Sequence, residues 1–588
     1  MRGQTQAGRF TFLICFFPMF FFTKLKRIFR RRGFGRSGEI FPDEIFLDSS
    51  NLPDFNRYQF EGRLEQPISR RVLVYLGLFL AVIFAVFLGK VWSLQIIHGE
   101  ELNSRSRLNS LRHVPIFPNR GVIYDRNNFL LVENSPSAKH PEFADRTYKN
   151  ISGLAHILGF VSYPKKDSSG FYYNLNSDGR DGVELLFNET LSGSIGVKLI
   201  EVDALGEIDS ESVIYPPTDG LSLYLSIDQG LTSALHQNIE NLAERVGFTG
   251  GAGVILDIKT GEVLASTSYP EFDSTILTEG RDDKAISRYR EDKAKPFLNR
   301  ATAGLYTPGS IVKPYVAVGV LEEGVIEPDK NILSTGSISI PNPYDKSKKS
   351  VFNDWKAHGY VDMRKALAVS SNVYFFEVGG GFEEQGGLGI ERLEKYFRLF
   401  GFGESILGDI FSNKSGIIPS PKWKAEAFPD EPWRIGDTYN TSIGQYGFLV
   451  TPLQAVRAVA AIGNGGFLVY PTLLRLDGKA GEKVKTGLNP ANLAVVREGM
   501  REGVISGTAS GLYFSDLAVA AKTGTAELDA AKKFVNSWVT GFFPYENPRF
   551  AFAVLMEKGP RGNVFGALSV MRSVFEWMQI NTPEYLRN

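Results

Sequence analysis

From Val72 to Gly89 the chain runs for 18 residues without a charge. A helix over such a stretch is about as long as the hydrocarbon layer of a bilayer is thick, and Val91 to Ile97, beyond Lys90, lengthens it further. A charge-free run of this length seldom packs inside a soluble domain, so it sets the architecture: a short segment on one side of a membrane and most of the chain on the other. Basic residues gather ahead of the run, at Arg63, Arg70 and Arg71 and more densely from Lys24 to Arg36. That asymmetry predicts a cytoplasmic N-terminus and an extracytoplasmic chain after about residue 98. A second apolar patch, Thr11 to Thr23, is 13 residues long and contains Pro18; it reads as a signal-peptide core or an interfacial segment rather than a second span.

At 588 residues there is room for two to four domains with substantial cores. Lys plus Arg and Asp plus Glu number 65 each, so no net field points to nucleic acid as a partner. Cys15 is the only cysteine and lies in the N-terminal patch, which excludes an internal disulfide and a cysteine-based metal site. The six histidines are scattered at or before His358 with no zinc-binding spacing, and neither metal nor cofactor is expected.

Between the span and residue 220 the sequence predicts small elements. Alternating apolar residues on either side of Asp125-Arg126-Asn127-Asn128 read as a hairpin closed by its Asx residues. A helical stretch is expected near Ile151 to Val161, a polar loop from Pro164 to Asp181, a helix from Gly182 to Phe187 and a strand from Val197 to Leu205. No clustered titratable set is evident, so the region reads as a structural spacer. Pro216-Pro217-Thr218-Asp219-Gly220 then punctuates the chain. A second large domain is expected from there, opening with a strand at Leu221 to Ile227, a helix at Leu231 to Val246 and a hairpin closed at Lys259-Thr260-Gly261.

That domain contains Thr307-Pro308-Gly309-Ser310-Ile311-Val312-Lys313-Pro314. Thr307 suits a helix cap and Pro308 the first helical position, which puts Ser310 in the first turn and Lys313 three residues on along the same face. An amine so placed takes the proton of the Ser310 hydroxyl, the pairing that covalent catalysis requires. The Ser310 N–H, unpaired at a helix start, faces whatever is attacked. Ser-x-x-Lys recurs at Ser162 to Lys165, so this pattern alone locates no site.

Ser370-Ser371-Asn372 follows 60 residues later and supplies a hydroxyl to relay a proton and an amide to hold Lys313 or a substrate carbonyl. Ser49-Ser50-Asn51 matches the same pattern. Lys-Thr-Gly occurs three times. At Lys259 it closes a hairpin, and at Lys485 it is expected in a polar loop without flanking strands. At Lys522-Thr523-Gly524-Thr525 it lies on the first of two adjacent strands, where Ala521 and Gly524 admit a ligand's backbone and Lys522 attracts a carboxylate.

In this order the three motifs resemble those shared by penicillin-binding proteins and β-lactamases. The resemblance extends over roughly residues 70 to 588. RGVIYDRNN at Arg120, LAHILGFV at Leu154 and DGVELLFNETLSG at Asp181 are similar to the juxtamembrane pedestal of class B penicillin-binding proteins, those of cell elongation above all. FNDWKAHGYVDMRKALAVSSN at Phe352, GDTYNTSIGQYGFLVTPLQ at Gly436 and AAKTGTAE at Ala520 are similar to their catalytic half. The fold class implied is α/β (α+β), an antiparallel sheet with helices on both faces, above an extended pedestal. The implied division is 1–70 cytoplasmic, 71–97 transmembrane, 98–219 pedestal and 220–588 transpeptidase. One departure stands out: only 19 residues separate Asn134 from Leu154, where the family carries a larger head subdomain.

The resemblance implies a peptidoglycan D,D-transpeptidase. Ser310 attacks the carbonyl between the two D-alanines of a stem peptide, Lys313 accepts its proton, and the N–H groups of Ser310 and Thr525 hold the oxyanion. Ser370 passes a proton to the departing D-alanine and Asn372 orients Lys313 and substrate. Lys522, Thr523 and Thr525, with Gly524 between them, hold the terminal carboxylate. A neighbouring stem's amine takes the acyl group, and β-lactams acylate the same serine. Lys313 is expected to be neutral through burial near Lys522. The implied partner is a membrane glycosyltransferase of the shape, elongation, division and sporulation family. The same motifs also serve a D,D-carboxypeptidase or a β-lactamase, and a membrane-anchored penicillin-reactive sensor is the non-enzymatic alternative.

Overall fold

The computed structural model describes residues 69–587 apart from 203–207, 343–344, 346, 407–409, 411–412 and 530. The apolar patch with Cys15, the basic run to Arg36 and Ser49-Ser50-Asn51 lie outside the described residues. Arg70–Trp92 is one helix, α1, entered at Ser69, whose side chain accepts from the Val72 N–H, and continued by a π turn over Ser93–Ile97. None of its residues is buried, and Arg70–Ile97 is long and apolar enough to cross a membrane. It belongs to a unit ending at Asn103, distinct from the unit of Ser104–Asn588.

The second unit begins with small sheets. Leu111–Ile116, Gly196–Val202 and Ile208–Tyr215 pair antiparallel. A four-stranded sheet orders Leu223–Tyr224, Ile123–Tyr124, Leu130–Ser135 and Asp145–Tyr148. The expected Asx hairpin is present: Asp125 Oδ1 accepts from the N–H groups of Asn127 and Phe129 at 2.8 and 2.7 Å. Leu130–Ser135 pairs directly with Asp145–Tyr148 across the short connection 136–144. Other expectations shrink. The helix near Ile151 to Val161 is a single turn, Ala155–Leu158, stopped by Gly159 at φ 75°. The Pro164 to Asp181 loop carries short strands at Lys165–Lys166, Tyr172–Asn174 and Asp178–Gly179. The strand expected at Leu221 to Ile227 is only Leu223–Tyr224, parallel to Ile123–Tyr124.

The absence of a clustered titratable set in this region is corrected by the structure. Glu184, wholly buried, accepts from Arg120 Nε through one oxygen and from Arg146 Nε through the other, the latter at 2.7 Å. These partners lie 64 and 38 residues away in sequence, so no local pattern reveals them. Arg120 also donates to Ser177 O and Asn188 Oδ1 at 2.8 and 2.9 Å, and Arg146 to Asn134 Oδ1 at 3.0 Å, tying four segments together around one carboxylate.

The larger part is built on five antiparallel strands, β1 (Gly250–Asp257), β2 (Val263–Tyr269), β3 (Ala520–Glu527), β4 (Phe534–Phe543) and β5 (Phe550–Pro560), in the order β2-β1-β5-β4-β3. Its helices include α2 (Gln229–Val246), α3 (Lys313–Glu322), α4 (Asn372–Gly380), α5 (Pro452–Gly463) and α6 (Ala567–Asn581). On one face Leu235 and Ile239 of α2 and Val570 and Phe575 of α6 share a core with Ile255, Val539 and Val554. On the other, α5 lies against the sheet, and residues of α3, α4 and α5 share a core that takes Val254, Ala553 and Leu555. Covered on both sides, β5 reads as the near-continuous apolar run FAFAVLM rather than as an alternation. Every residue of α5 is buried, so its long polar side chains have partners: Gln454 donates to Glu404 O and Ser415 O, and Arg457 to Val469 O. The expected antiparallel sheet with helices on both faces is thus found, and β3 forms one edge.

Glu271, just after β2, links this part to the first. Its carboxylate accepts from Gly153 N at 2.6 Å and Ala155 N at 3.0 Å, with His236 Nε2 of α2 at 3.7 Å. Burial pushes the Glu271 carboxyl up to about 7 and the His236 imidazole down to about 4.

Candidate active site

The turn carrying Ser310 differs from its expected form. Gly309–Val312 is a 3-10 turn and α3 starts only at Lys313, so Ser310 precedes the helix instead of occupying its first turn. Pro314 takes the early helical position assigned to Pro308, and Thr307, rather than capping, gives its C=O to Trp538 Nε1 of β4 at 3.0 Å. The two residues still stand one turn apart, because a 3-10 turn also aligns residues three apart and the Lys313 N–H donates to Ser310 O. Ser310 is half-buried and Lys313 fully buried.

Four of the predicted side chains meet directly. Lys313 Nζ donates to Asn372 Oδ1 at 2.7 Å and to Ser370 O at 2.8 Å, and lies 3.4 Å from Ser370 Oγ. Lys522 Nζ donates to the same hydroxyl at 2.8 Å and to Thr523 O at 2.9 Å. Ser370 sits at φ 59°, a left-handed conformation rare outside glycine, which turns both its carbonyl and its hydroxyl toward the lysines.

Two buried ammonium groups sharing one hydroxyl are unfavourable, and both amines respond. Burial brings Lys313 down to about 7, against the pull of the Asp354 carboxylate. Burial, reinforced by the charge of Lys313, holds Lys522 well below the ordinary lysine range. The expected depression at Lys313 is present, and desolvation is its main cause. A neutral amine has two N–H bonds and one lone pair. With Ser370 O and Asn372 Oδ1 accepting both hydrogens, the lone pair is left for a hydroxyl proton.

The edge strand closes on the Ser310 turn through backbone contact. A Cβ at Gly524 would stand 2.8 Å from Pro308 O and 2.9 Å from Ile311 Cγ2, and one at Gly309 would stand 2.9 Å from Thr525 O. From the other side Gly444, at φ 76°, gives its C=O to Gly309 N at 2.9 Å, and a Cβ there would lie 2.2 Å from Gly309 O. Only side-chain-free residues allow this approach. Thr525 is exposed beside the turn, whereas Thr523 shares a hydrogen with Thr508 Oγ1 at 2.7 Å.

The competing motif copies lie elsewhere. Ser162 accepts from Arg180 Nε at 2.8 Å and Lys165 is exposed on a short strand among the small sheets. Lys259 lies in the β1–β2 turn, its N–H held by Asp257 Oδ1 at 2.8 Å. The Lys485 copy corrects an expectation: Lys483–Lys485 is an exposed strand paired with Phe467–Val469, not a loop without strands.

Sequence reasoning assigned no role to Asn353, Asp354 and Trp355, although they fall inside the stretch quoted from Phe352. All three bond to the turn that carries Ser370 and Asn372. Nor did it single out Thr508 or Gly444. Their signal is tertiary, apart from the glycine's place in the Gly436 stretch.

Residues 251–576 match the penicillin binding protein transpeptidase domain, a span that holds Ser310, Lys313, Ser370, Asn372 and Lys522. The chain belongs to that family. Residues 142–225 of this penicillin-binding protein also match the penicillin-binding protein dimerisation domain. Peptidoglycan D,D-transpeptidase MrdA of Acinetobacter baumannii is 29% identical, the alignment covering 82% of this chain and 84% of that protein. Among solved structures, penicillin-binding protein PBP2 of Helicobacter pylori in complex with MreC is 27% identical with a TM-score of 0.66, over 80% of this chain and 99% of that one. A chain from a peptidoglycan synthase complex described as coordinating polymerization and crosslinking is 26% identical with a TM-score of 0.67, over 86% and 97%.

Proposed function

We propose that this penicillin-binding protein is a peptidoglycan D,D-transpeptidase of cell-wall elongation that works through an acyl-enzyme on Ser310. The observation that carries this reading is the hydrogen-bonded set Lys313, Ser370, Asn372 and Lys522, gathered beside the Ser310 turn at the edge of β3. The MrdA relative named above lends further support.

On this reading the Lys313 lone pair takes the Ser310 proton as Oγ bonds to the carbonyl carbon between the terminal D-alanines. Backbone N–H groups of Ser310 and Thr525 receive the oxyanion. Ser370, bridging the two lysines, returns a proton to the D-alanine nitrogen as its bond to the carbonyl breaks. Lys522, Thr523 and Thr525, around Gly524, hold the terminal carboxylate, and Asn372 keeps the Lys313 amine aimed. The amine of a second stem peptide then displaces Ser310 and forms the crosslink. A β-lactam follows the first half of this course.

Residues 1–70 then lie in the cytoplasm, 71–97 in the membrane, and 98–219 form a pedestal under a transpeptidase domain of 220–588. Arg70 and Arg71 at the start of α1 support that orientation. A membrane glycosyltransferase of the shape, elongation, division and sporulation family is the partner that supplies glycan strands; copurification lacking any such polymerase counts against it. The test of the central reading is labelling by a fluorescent penicillin. The wild-type chain is labelled and Ser310→Ala is not; retained labelling in the variant refutes the assignment. Persistence of the adduct for hours separates a transpeptidase from a β-lactamase, which releases it within seconds.

A further inference from the structure

Next to the reacting groups lies a buried carboxylate to which the reaction above gives no part. Asn353-Asp354-Trp355 leaves the strand Lys349–Asn353 and runs along the turn that carries Ser370 and Asn372. Each of the three residues bonds to that turn. Asn353 O accepts from Asn372 Nδ2 at 3.3 Å, and Trp355 Nε1 donates to Val369 O at 3.2 Å. Between them Asp354 Oδ2 accepts from Ser371 Oγ at 2.8 Å and from Val373 N at 3.0 Å, and also from Ser334 Oγ at 3.3 Å.

These bonds flank a residue that resists its own conformation. Ser370 at φ 59° is held in a region that is unfavourable for a non-glycine residue, so the surroundings must overdetermine it. Anchors on Val369, Ser371, Asn372 and Val373 bracket it on both sides. A slip of this turn would move Ser370 O and Asn372 Oδ1 together, and these are the two acceptors that orient the Lys313 amine.

We propose that Asp354 is a positioning residue for acylation, its carboxylate holding the turn that presents Ser370 and Asn372 to Lys313. This rests on the transpeptidase reading above and deepens it.

Charge gives the role a signature that packing alone lacks. Burial by itself raises the Asp354 carboxyl, but the N–H groups of Val373 and Asn372 and the charge of Lys313 outweigh it and hold Asp354 below the usual carboxylate range. Asp354 is therefore an anion at neutral pH. The charged or titratable groups around it are Lys313 from α3 and, on its own segment, Lys356 and His358, whose Nε2 stands 3.6 Å from Asp354 Oδ1. Burial lowers His358 below the ordinary histidine range, so it titrates below the Lys313 transition. Facing Lys313 are Asp354 and, across Ser370, Lys522. An anion near Lys313 favours its protonated form, and removing that anion makes Lys313 a free base at lower pH.

The experiment measures the rate of acylation by a fluorescent penicillin between about pH 5.5 and 9.5 on the full-length protein in detergent. Asp354→Asn is expected to label at Ser310 about tenfold more slowly or worse, the loss of charge-assisted bonds to the turn. The rising limb of its pH profile moves toward acid. Ser371→Ala, which removes the hydroxyl's bonds to Asp354, Ser334 and Tyr374 N but no charge, slows acylation less and leaves the limb in place. A wild-type rate in Asp354→Asn overturns the proposal, as does a limb that stays put or moves toward alkali. If Asp354→Asn does not fold, Ser371→Ala and Trp355→Phe still read the turn, and wild-type rates in both overturn it. Failure of the wild-type chain to label at Ser310 sinks the transpeptidase reading instead, and is told apart by that.

Discussion

Lys522 Nζ and Ser370 Oγ stand 2.8 Å apart across 152 residues of sequence. Ser370 Oγ is also 3.4 Å from Lys313 Nζ, so one hydroxyl spans the gap between an amine on the helix after the Ser310 turn and an amine on the edge strand. That bridge gives a proton a route between lysines that burial keeps from both being charged.

Acylation is expected to rise with pH through about 7 and level off above it, as Lys313 loses its proton. Lys313→Met reduces the rate by about 100-fold or more, the range for loss of a general base. The linkage has a defined sign. Between about 7, where folded Lys313 titrates, and the ordinary lysine value of 10.5, the unfolded chain binds the proton and the folded chain does not. Stability contributed through this group therefore increases with pH across that window and is lost as pH falls through it. Thermal unfolding at several pH values, wild type against Lys313→Met, checks this: wild-type stability relative to the variant falls toward the acid end, and a rise there means that the sign is wrong.

Gly524→Ala forces a methyl group to within 2.8 Å of Pro308 O and 2.9 Å of Ile311 Cγ2. Neither the sheet edge nor the Ser310 turn yields freely, so the expected cost is about 1–3 kcal/mol, with a matching fall in penicillin labelling as the two separate. Gly386, where a Cβ meets nothing within 4 Å, is the control. Equal melting temperatures for Gly524→Ala and Gly386→Ala contradict the close approach.

Glu184→Ala leaves the guanidinium groups of Arg120 and Arg146 buried without their shared carboxylate. A loss of about 3–5 kcal/mol is expected. Because Ser310 and its lysines lie in other elements, protein that remains folded is acylated at the wild-type rate. Chemical denaturation and labelling of the same preparation measure both; a shift under about 1 kcal/mol speaks against a structural core at Glu184.

Glu271 titrates in the folded chain at about 7, above the ordinary 4.5 of a glutamate. The folded state therefore holds the proton in a window where the unfolded state has released it. The stability this provides is full below about 4.5 and is lost as pH rises through about 7. Glu271→Gln, whose single side-chain oxygen keeps one of the two bonds to Gly153 N and Ala155 N, removes that dependence. Melting curves at pH 5 and 8 should show a smaller pH effect in the variant than in the wild type, and an unchanged pH effect rules the assignment out.

Much of this molecule was legible before any coordinates. The charge-free run became α1, Asp125 closed its hairpin, and Lys313 followed Ser310 by one turn, because helix length, Asx capping and side-chain period act within a few residues. The order of Ser310, Ser370 and Lys522 marked out the family for the same reason, since a motif is a local string. Folding alone decided the rest. It made Lys483–Lys485 a strand by giving it a partner, moved the start of α3 past Ser310, joined Glu184 to two distant arginines and set Asp354 behind the turn. Above all it lowers the proton affinity of Lys313 and Lys522: an amine's proton affinity depends on how much water surrounds it, and that is a property of packing which no string of neighbours carries.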